Sequence, residues 1–94
     1  MNSSTLQVVI QDLIAGDFSV STHAVKRMQQ RTVTKNDIRE AARTYFSAHV
    51  QADGKASITG FDLDGEELQV IAAYDNGTVV VTVYWEVIYE KKSN

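Results

Sequence analysis

The hydrophobic periodicity of the chain changes near residue 48, and this change limits the folds that the chain can adopt. Before residue 48, apolar side chains recur at i, i+3, i+4 and i+7, which is the spacing of one buried helix face. After it they alternate, which is typical of strands with one buried face. The sequence therefore predicts an α+β fold, in which three N-terminal helices pack on a four-stranded antiparallel β-meander.

The first half of the chain predicts three helices. They cover approximately residues 5–15, 22–31 and 35–47. Each is supported by residues that favour helix ends. These residues are Ser4 with Gln7 and then Gly16 for the first helix, Ser21 or Thr22 for the second, and Thr34 with Asp37 for the third.

The second half predicts four strands joined by tight turns. The strands cover approximately residues 49–52, 56–62, 67–75 and 78–88. The turns contain residue pairs that tolerate positive φ at both central positions of a hairpin. These pairs are Asp53–Gly54, Asp64–Gly65 and Asn76–Gly77. Counting back from the last turn gives the cross-strand pairs that build one apolar face, Ala72 with Val81 and Val70 with Val83.

Length and composition predict one ordinary globular domain. The chain has 94 residues, enough for a single core, so one domain over residues 1–94 is expected. It contains no cysteine, which excludes disulfides and thiolate metal ligands. The longest apolar run, Val79 to Val83, is interrupted by Thr82 and far too short to span a bilayer, and the N-terminus has no secretory-signal pattern. We therefore expect a cytoplasmic location and no membrane partner.

Several common chemistries have no support in the sequence. The two histidines lie 26 residues apart, and no histidine pair has the spacing of a metal site. A glycine-rich phosphate loop and a Gly-x-Ser-x-Gly motif are both absent from the sequence. The sequence therefore predicts no metal site and no cofactor.

Positive charge is concentrated in the middle of an acidic chain. The net charge is −3, yet residues 23–43 hold six basic residues against two acidic ones, a local charge of +4. Because salt screens charges beyond about 8 Å, a ligand on this segment would respond mainly to the local charge. Mutual neutralisation of these bases and the C-terminal acids across the fold is the alternative, and the sequence leaves it open.

His23, Arg27 and Arg31 form a cationic row, because residues four apart lie on one side of a helix. Such a row is either a site for an anion or a ladder of salt bridges. Lys35, Arg39 and Arg43 form a second row on the third helix, and the two rows either line one groove or cover the edge of the core with their aliphatic stems. For Arg31, a buried pair with a C-terminal carboxylate is equally consistent with the sequence.

His23 is the best candidate for acid–base chemistry. An imidazole can act as a general base or acid, and arginines one turn away can stabilise the charge that develops on a phosphate. This combination suits metal-free cleavage of RNA phosphodiester bonds. A histidine that only bonds to the backbone at the start of a helix is the alternative reading.

The spacing of these residues resembles a family of bacterial proteins grouped as "domain of unknown function 4258". That family looks related to the RelE-like toxins, within the barnase, EndoU, colicin and RelE group of small ribonuclease folds. The resemblance covers residues 20–88 and implies a small RNA-cleaving or toxin-like protein. It is carried by Ser21-x-His23-Ala24-x-x-Arg27-Met28-x-x-Arg31, Val33-Thr34, Asp37-Ile38 and Val80-Val81-Thr82-Val83-Tyr84.

The resemblance implies functional roles for His23, Arg27 and Arg31, with Thr82 and Tyr84 as further candidates on the last strand. One position departs from the family pattern. Family members commonly have glycine after the last arginine, where a helix would end in a left-handed residue, but this chain has Thr32. The link to the third helix, and with it the direction of Arg31, is therefore expected to differ.

Our first hypothesis is a toxin-like, metal-independent RNA endonuclease. Its catalytic residues would be His23, Arg27 and Arg31. Its substrate-binding residues would be Lys26, Lys35, Arg39, Arg43, Thr82 and Tyr84. The alternatives are a non-catalytic RNA- or protein-binding module, and a structural or interaction protein that dimerises through a strand edge. The candidate partners are therefore RNA, a cognate antitoxin or other partner protein, and a second copy of the chain.

Overall fold

A computed structural model describes residues 1–85, which form three helices and five strands. The predicted strand residues 86–88 lie outside this range. The elements in chain order are α1 (Ser3–Ala15), β1 (Phe18–Val20), α2 (Thr22–Arg31), α3 (Lys35–Arg43), β2 (Ser47–Val50), β3 (Ala56–Phe61), β4 (Glu67–Tyr74) and β5 (Thr78–Trp85).

The prediction of a four-stranded antiparallel meander is wrong, because the sheet is five-stranded and mixed. Its strand order is β1-β5-β4-β3-β2. The additional strand β1 lies between the first two helices and pairs in parallel with β5, with Phe18 opposite Thr78 and Val20 opposite Val80. Three residues are too few to show an alternating pattern, and their partner strand lies about 60 residues later in the chain. Local periodicity therefore could not reveal β1.

Two sheet edges follow from this strand order. The edge strands are β1 and β2, each with a partner on one side within the described part of the chain. A free strand edge can pair with another chain. Dimerisation through such an edge stays a prediction.

The helix ends follow the sequence signals in most cases. Gly16 ends α1 in a left-handed conformation with φ of 81°, as predicted. The predicted capping box of α3 is also confirmed, because Thr34 and Asp37 bond to each other's backbone N–H groups. The predicted cap of α1 at Ser4 is wrong. Asn2 caps that helix instead, since its side-chain oxygen accepts a hydrogen bond from the N–H of Thr5 at 2.8 Å.

Helix α3 ends at Arg43, four residues earlier than the sequence predicts. Tyr45 and Phe46 have helical spacing, which led to the longer prediction. The Thr44 hydroxyl instead bonds to the carbonyl of Glu40 at 2.8 Å and to the N–H of Phe61 at 2.9 Å. The chain therefore leaves the helix at Thr44 and joins the edge of the sheet.

The core lies between one face of the sheet, here called the inner face, and the apolar sides of the helices. The inner-face residues of β3, β4 and β5 stand opposite one another in the strand register. The fully or almost fully buried apolar residues of this core include Val9, Leu13, Ile38, Ala41, Ile58, Leu68, Val70, Val80 and Val83.

Gly60 allows α3 to pack closely on β3. A Cβ atom at this position would lie 1.9 Å from the carbonyl oxygen of Ala41 and 3.0 Å from the Cα atom of Tyr45. Both are backbone atoms, so no side chain can rotate away to make room. The helix–sheet distance in this part of the core therefore requires a residue without a side chain.

Helix α2 ends with a strained residue. Thr32 adopts φ of 54° and ψ of 36°, the left-handed region. This conformation is unfavourable for a β-branched residue by about 1–2 kcal/mol. Thr32 therefore adopts the left-handed backbone conformation that glycine, the common family residue at this position, favours.

We expect Gly60→Ala to lower the free energy of unfolding by about 3 kcal/mol, because the added methyl group must push α3 away from the sheet. Urea denaturation of the variant would measure this change. Thr59→Ala, on the same strand but facing away from the core, should cost much less. A Gly60→Ala protein as stable as the parent would contradict the close approach.

We expect Thr32→Gly to raise the free energy of unfolding by about 1 kcal/mol, because glycine adopts the left-handed conformation without strain. The matched control is Thr22→Gly, at the right-handed start of the same helix. That change should lower stability by about 0.5–1 kcal/mol. Thermal unfolding would measure both changes in stability. If both variants were more stable than the parent, or both less stable, the result would argue against strain at Thr32.

Candidate functional site

Ser21 fixes the start of α2 on strand β5. Its N–H donates to the carbonyl of Val80 at 2.9 Å, which continues the pairing of β1 with β5. Its hydroxyl donates to the carbonyl of Val81 at 3.1 Å and accepts from the N–H of Ala24 at 3.1 Å. Ser21 is thus the predicted N-cap, and it also holds the helix to the last strand.

A β-bulge at Val81 decides which face of the sheet Thr82 and Tyr84 occupy. Before the bulge Ala72 pairs with Val80, and after it Ile71 pairs with Thr82. The predicted pair of Ala72 with Val81 is therefore wrong, whereas the pair of Val70 with Val83 is confirmed.

Without the extra residue, the register of Tyr74 with Thr78 would place Thr82 opposite Val70, on the inner face. The bulge moves Thr82 and Tyr84 to the opposite, outer face. It occurs at the residue whose carbonyl binds Ser21, so the bulge and the start of α2 are coupled.

Helix α2 places two arginines against aromatic rings of β5. The Arg27 guanidinium carbon lies 5.3 Å from the centre of the Tyr84 ring, and that of Arg31 lies 5.8 Å from the centre of the Trp85 ring. Within residues 1–85, neither arginine forms an ion pair with a carboxylate. The described structure thus gives no support to a salt-bridge ladder along this row.

The contact between α2 and β5 is here called the α2–β5 seam. Its residues are His23, Arg27 and Arg31 of α2 and Thr82, Tyr84 and Trp85 of β5.

The seam contains buried polar atoms that lack hydrogen-bond partners. In the described range, the side-chain atoms of this kind are Nε of Arg27, Oγ1 of Thr82 and Nε1 of Trp85. Thr82 is only 7% exposed. A buried donor without a partner costs about 1–3 kcal/mol, so such groups are uncommon in folded proteins. Their occurrence in one seam marks it as the candidate site.

His23 is exposed, and its side chain makes no hydrogen bond or ion pair in the described region. It lies one helical turn, or about 6 Å along the axis, before Arg27 on the same side of α2. Lys26 is exposed next to Arg27. The imidazole is therefore open to a ligand that also contacts the arginine.

The second basic row makes contacts within the protein. The Lys35 ammonium lies 5.0 Å from the centre of the Phe18 ring, and Nε of Arg39 donates to the carbonyl of Ile14 at 3.1 Å. Arg43 forms an ion pair with Glu40 at 2.6 Å. The hydrogen bond from Arg43 lowers the pKa of the Glu40 carboxyl.

These three basic residues thus contact β1, α1 and their own helix, whereas Arg27 and Arg31 of the first row contact β5. The two rows do not face a common set of neighbours. A role for Lys35, Arg39 and Arg43 in RNA binding stays a prediction.

Two residues of the outer face had no place among the sequence-based candidates. Gln69 stands directly opposite Tyr84, and its side-chain N–H donates to the hydroxyl of Ser57 at 2.9 Å. The register counted back from the last turn pairs Gln69 with Tyr84, and this pair is confirmed. No local signal indicates the bond to Ser57, because β3 and β4 must first pair.

A metal-binding cluster and a membrane-spanning helix are both absent from residues 1–85. No group of three His, Asp or Glu side chains is arranged so that it could hold a metal ion. No helix there combines the length and apolar character needed to cross a membrane.

Comparison with known proteins gives one match. A family model described as "Domain of unknown function (DUF4258)" matches residues 20–85, from the end of β1 to the end of β5, and so includes the whole seam. This match confirms the family resemblance inferred from the sequence, while a relation to the RelE-like toxins stays a prediction. No curated protein and no solved structure matches the chain.

We expect Thr82→Val to raise the free energy of unfolding by about 1 kcal/mol, because it replaces a buried, unpaired hydroxyl by a methyl group of similar size. Thr78→Val is the matched control on the same strand. The Thr78 hydroxyl donates to the Asp12 carboxylate at 2.8 Å, so its removal should lower stability by about 1–2 kcal/mol. Denaturation curves of both variants would test this contrast, and a loss of stability in Thr82→Val would contradict it.

Proposed function

The chain belongs to the DUF4258 family, and we propose that it is a toxin-like RNA endonuclease that works without a metal ion at the α2–β5 seam. The observation that carries this proposal is the pair of buried donors without partners, Nε of Arg27 and Oγ1 of Thr82. Both groups can donate to an oxygen anion. Because both atoms are shielded from solvent, a phosphate would reach them only if side chains of the seam moved, whereas the terminal N–H groups of Arg27 are not among the buried unpaired atoms.

Arg27 is suited to hold the phosphate of an RNA backbone. Charge-assisted hydrogen bonds from a guanidinium to a phosphate are among the strongest in proteins. Arg27 has no competing carboxylate within residues 1–85, and Lys26 adds a second positive charge beside it. These donors would also stabilise the additional negative charge that develops on the phosphorane in the transition state.

His23 would start the reaction as general base. It would accept the proton of a ribose 2′-hydroxyl, whose oxygen then attacks the adjacent phosphorus. The bond from phosphorus to the 5′-oxygen breaks, and the leaving oxygen takes a proton from water. The products are a 2′,3′-cyclic phosphate end and a 5′-hydroxyl end. His23 is exposed and one turn from Arg27, which suits contact with the ribose next to the bound phosphate.

Tyr84 would bind the base of the same nucleotide. Its side chain is 43% exposed, and bases of single-stranded RNA commonly stack on such rings. The Arg27 guanidinium on the ring fixes the relative positions of the phosphate site and the base site. Arg31 lies one turn further along α2 and would contact a neighbouring phosphate.

The proposed activity defines the partners as well. Cleavage of cellular RNA in the cytoplasm would slow growth, and a cognate antitoxin would have to cover the seam. Because the seam is rich in basic residues, such a partner would present acidic side chains to it.

RNA binding without cleavage is the second candidate, and one observation favours it. The His23 side chain has no hydrogen bond that orients its ring in the described part of the chain. General bases are usually oriented by a second group. In this case the seam would hold RNA through Arg27, Thr82 and Tyr84 without chemistry.

We expect the purified protein to cleave single-stranded RNA in the presence of EDTA and to leave 2′,3′-cyclic phosphate ends. His23→Ala should lower the cleavage rate by about 10²–10⁴-fold, because it removes the general base. His49→Ala is the matched control, since His49 lies on β2, three strands from β5, and should retain the rate. Gel analysis of end-labelled RNA would measure both. An inactive parent protein, or a His23→Ala protein with the full rate, would refute the catalytic proposal.

We also expect Arg27→Ala to weaken RNA binding. The slope of log affinity against log salt concentration should fall by about 1, which corresponds to the loss of one phosphate contact. Lys55→Ala removes one positive charge at the β2–β3 turn, where Lys55 pairs with Asp53, and should leave both quantities almost unchanged. Fluorescence titration with a labelled oligonucleotide at several salt concentrations would compare the variants. A salt dependence that persists without any RNA product would favour the binding-only candidate.

A further inference from the structure

The outer face of the sheet continues from the seam in two rows of side chains. One row joins Tyr84 of β5 to Gln69 of β4, and the next joins Thr82 to Ile71 and then to Ser57 of β3. Directly opposite side chains in a sheet are about 5 Å apart. Gln69 is therefore the first polar side chain that a base stacked on Tyr84 would meet.

The amide of Gln69 is hydrogen-bonded to the neighbouring strand β3. Its Nε2 donates a hydrogen bond to the Ser57 hydroxyl at 2.9 Å, and Ser57 is only 1% exposed. In the described region the amide oxygen has no hydrogen-bond partner, and it is not among the buried unpaired atoms. The amide therefore keeps its oxygen acceptor and one N–H donor for a ligand.

We propose that Gln69 is a specificity-determining residue that selects adenine in single-stranded RNA. A glutamine amide can bind adenine through two hydrogen bonds, one to a ring nitrogen and one from the exocyclic amino group. This inference rests on the proposed function, because RNA at the seam brings the base to Tyr84. Ser57 is then a positioning residue, which acts through Gln69 and does not touch the base.

The same geometry requires a single strand. The base must stack on Tyr84 and turn its edge toward Gln69, which lies on the neighbouring strand of the sheet. In an RNA duplex this edge is paired or lies in a groove that side chains do not reach. Duplex RNA is therefore expected to bind without base preference.

Binding of non-cleavable RNA tests the inference separately from catalysis. The probes are 2′-O-methyl hexauridylate and the same hexamer with one central adenine, titrated against the full chain. We expect the adenine probe to bind about tenfold more tightly. Gln69→Ala should remove this preference for the adenine probe, while the affinity for the uridine probe changes little. Gln29→Ala, on the side of α2 away from the seam, is the control and should keep the ratio.

Two further variants separate base selection from structural damage. Gln69→Glu keeps the shape of the side chain but replaces its N–H donor by an acceptor. The ratio of the affinities for the adenine and uridine probes should therefore fall several-fold, although the protein stays folded. Ser57→Ala should reduce the ratio without changing the salt dependence of binding, because it loosens the amide and removes no phosphate contact.

Equal affinity for the two probes, or an adenine preference that survives in both Gln69 variants, would overturn the inference. Failure of the proposed catalysis has a different signature. An adenine preference that depends on Gln69, together with no cleavage of the 2′-hydroxyl RNA, would sustain the inference and refute only the endonuclease.

Discussion

The attachment of α2 to β5 through Ser21 is the interaction on which the rest of the candidate site depends. One residue extends the pairing of β1 with β5, binds the carbonyl at the bulge and caps the helix. His23 and Arg27 are on the helix that it starts, and Thr82 and Tyr84 are on the strand just beyond the bulge. The hydrogen bonds of this serine therefore join the two elements that carry all four side chains, together with the packing of the buried Ala24.

Local signals predicted the starts of α2 and α3, the end of α1 and the positions of the three turns. The predicted two-residue hairpins are wrong, because the links comprise residues 51–55, 62–66 and 75–77, and in the described chain only the pair Asn76–Gly77 has positive φ at both positions. Long-range pairing accounts for most of what local signals could not predict. Ser21, Thr34 and Gly16 act on residues at most a few positions away, so the sequence displays their effect directly. Strand β1 has three residues and depends on a partner about 60 residues later. The bulge at Val81 likewise has no signature within β5, since it depends on β4 and on Ser21. Sequence reasoning therefore proposed the charged candidates together with Thr82 and Tyr84, but it could not predict the bulge or the bond from Ser21 that bring α2 and β5 together.

Energetically unfavourable features are concentrated around α2 and β5. Thr32 has a left-handed backbone at the end of α2, and the seam buries unpaired atoms of Arg27 and Thr82. Each such feature costs about 1–3 kcal/mol, against a total stability of about 5–15 kcal/mol for a small domain. The α1–α3 side of the fold is different, since Asp37 and Arg39 there have hydrogen-bond partners. A fold that satisfies its polar groups on one side and leaves them unpaired on the other is expected when the second side binds a ligand.

The contrast between Arg27 and Arg43 shows why the type of partner matters more than the presence of charge. The Glu40 carboxylate occupies two N–H groups of Arg43 and neutralises its charge, so little remains for a phosphate. The Tyr84 ring, whose centre lies 5.3 Å from the Arg27 guanidinium carbon, carries no negative charge and so does not neutralise this arginine as a carboxylate would. An aromatic contact can thus hold an arginine in place while its hydrogen-bonding capacity is kept for an anion. Two arginines that look equivalent in the sequence therefore differ in the charge that their neighbours leave available to an anion.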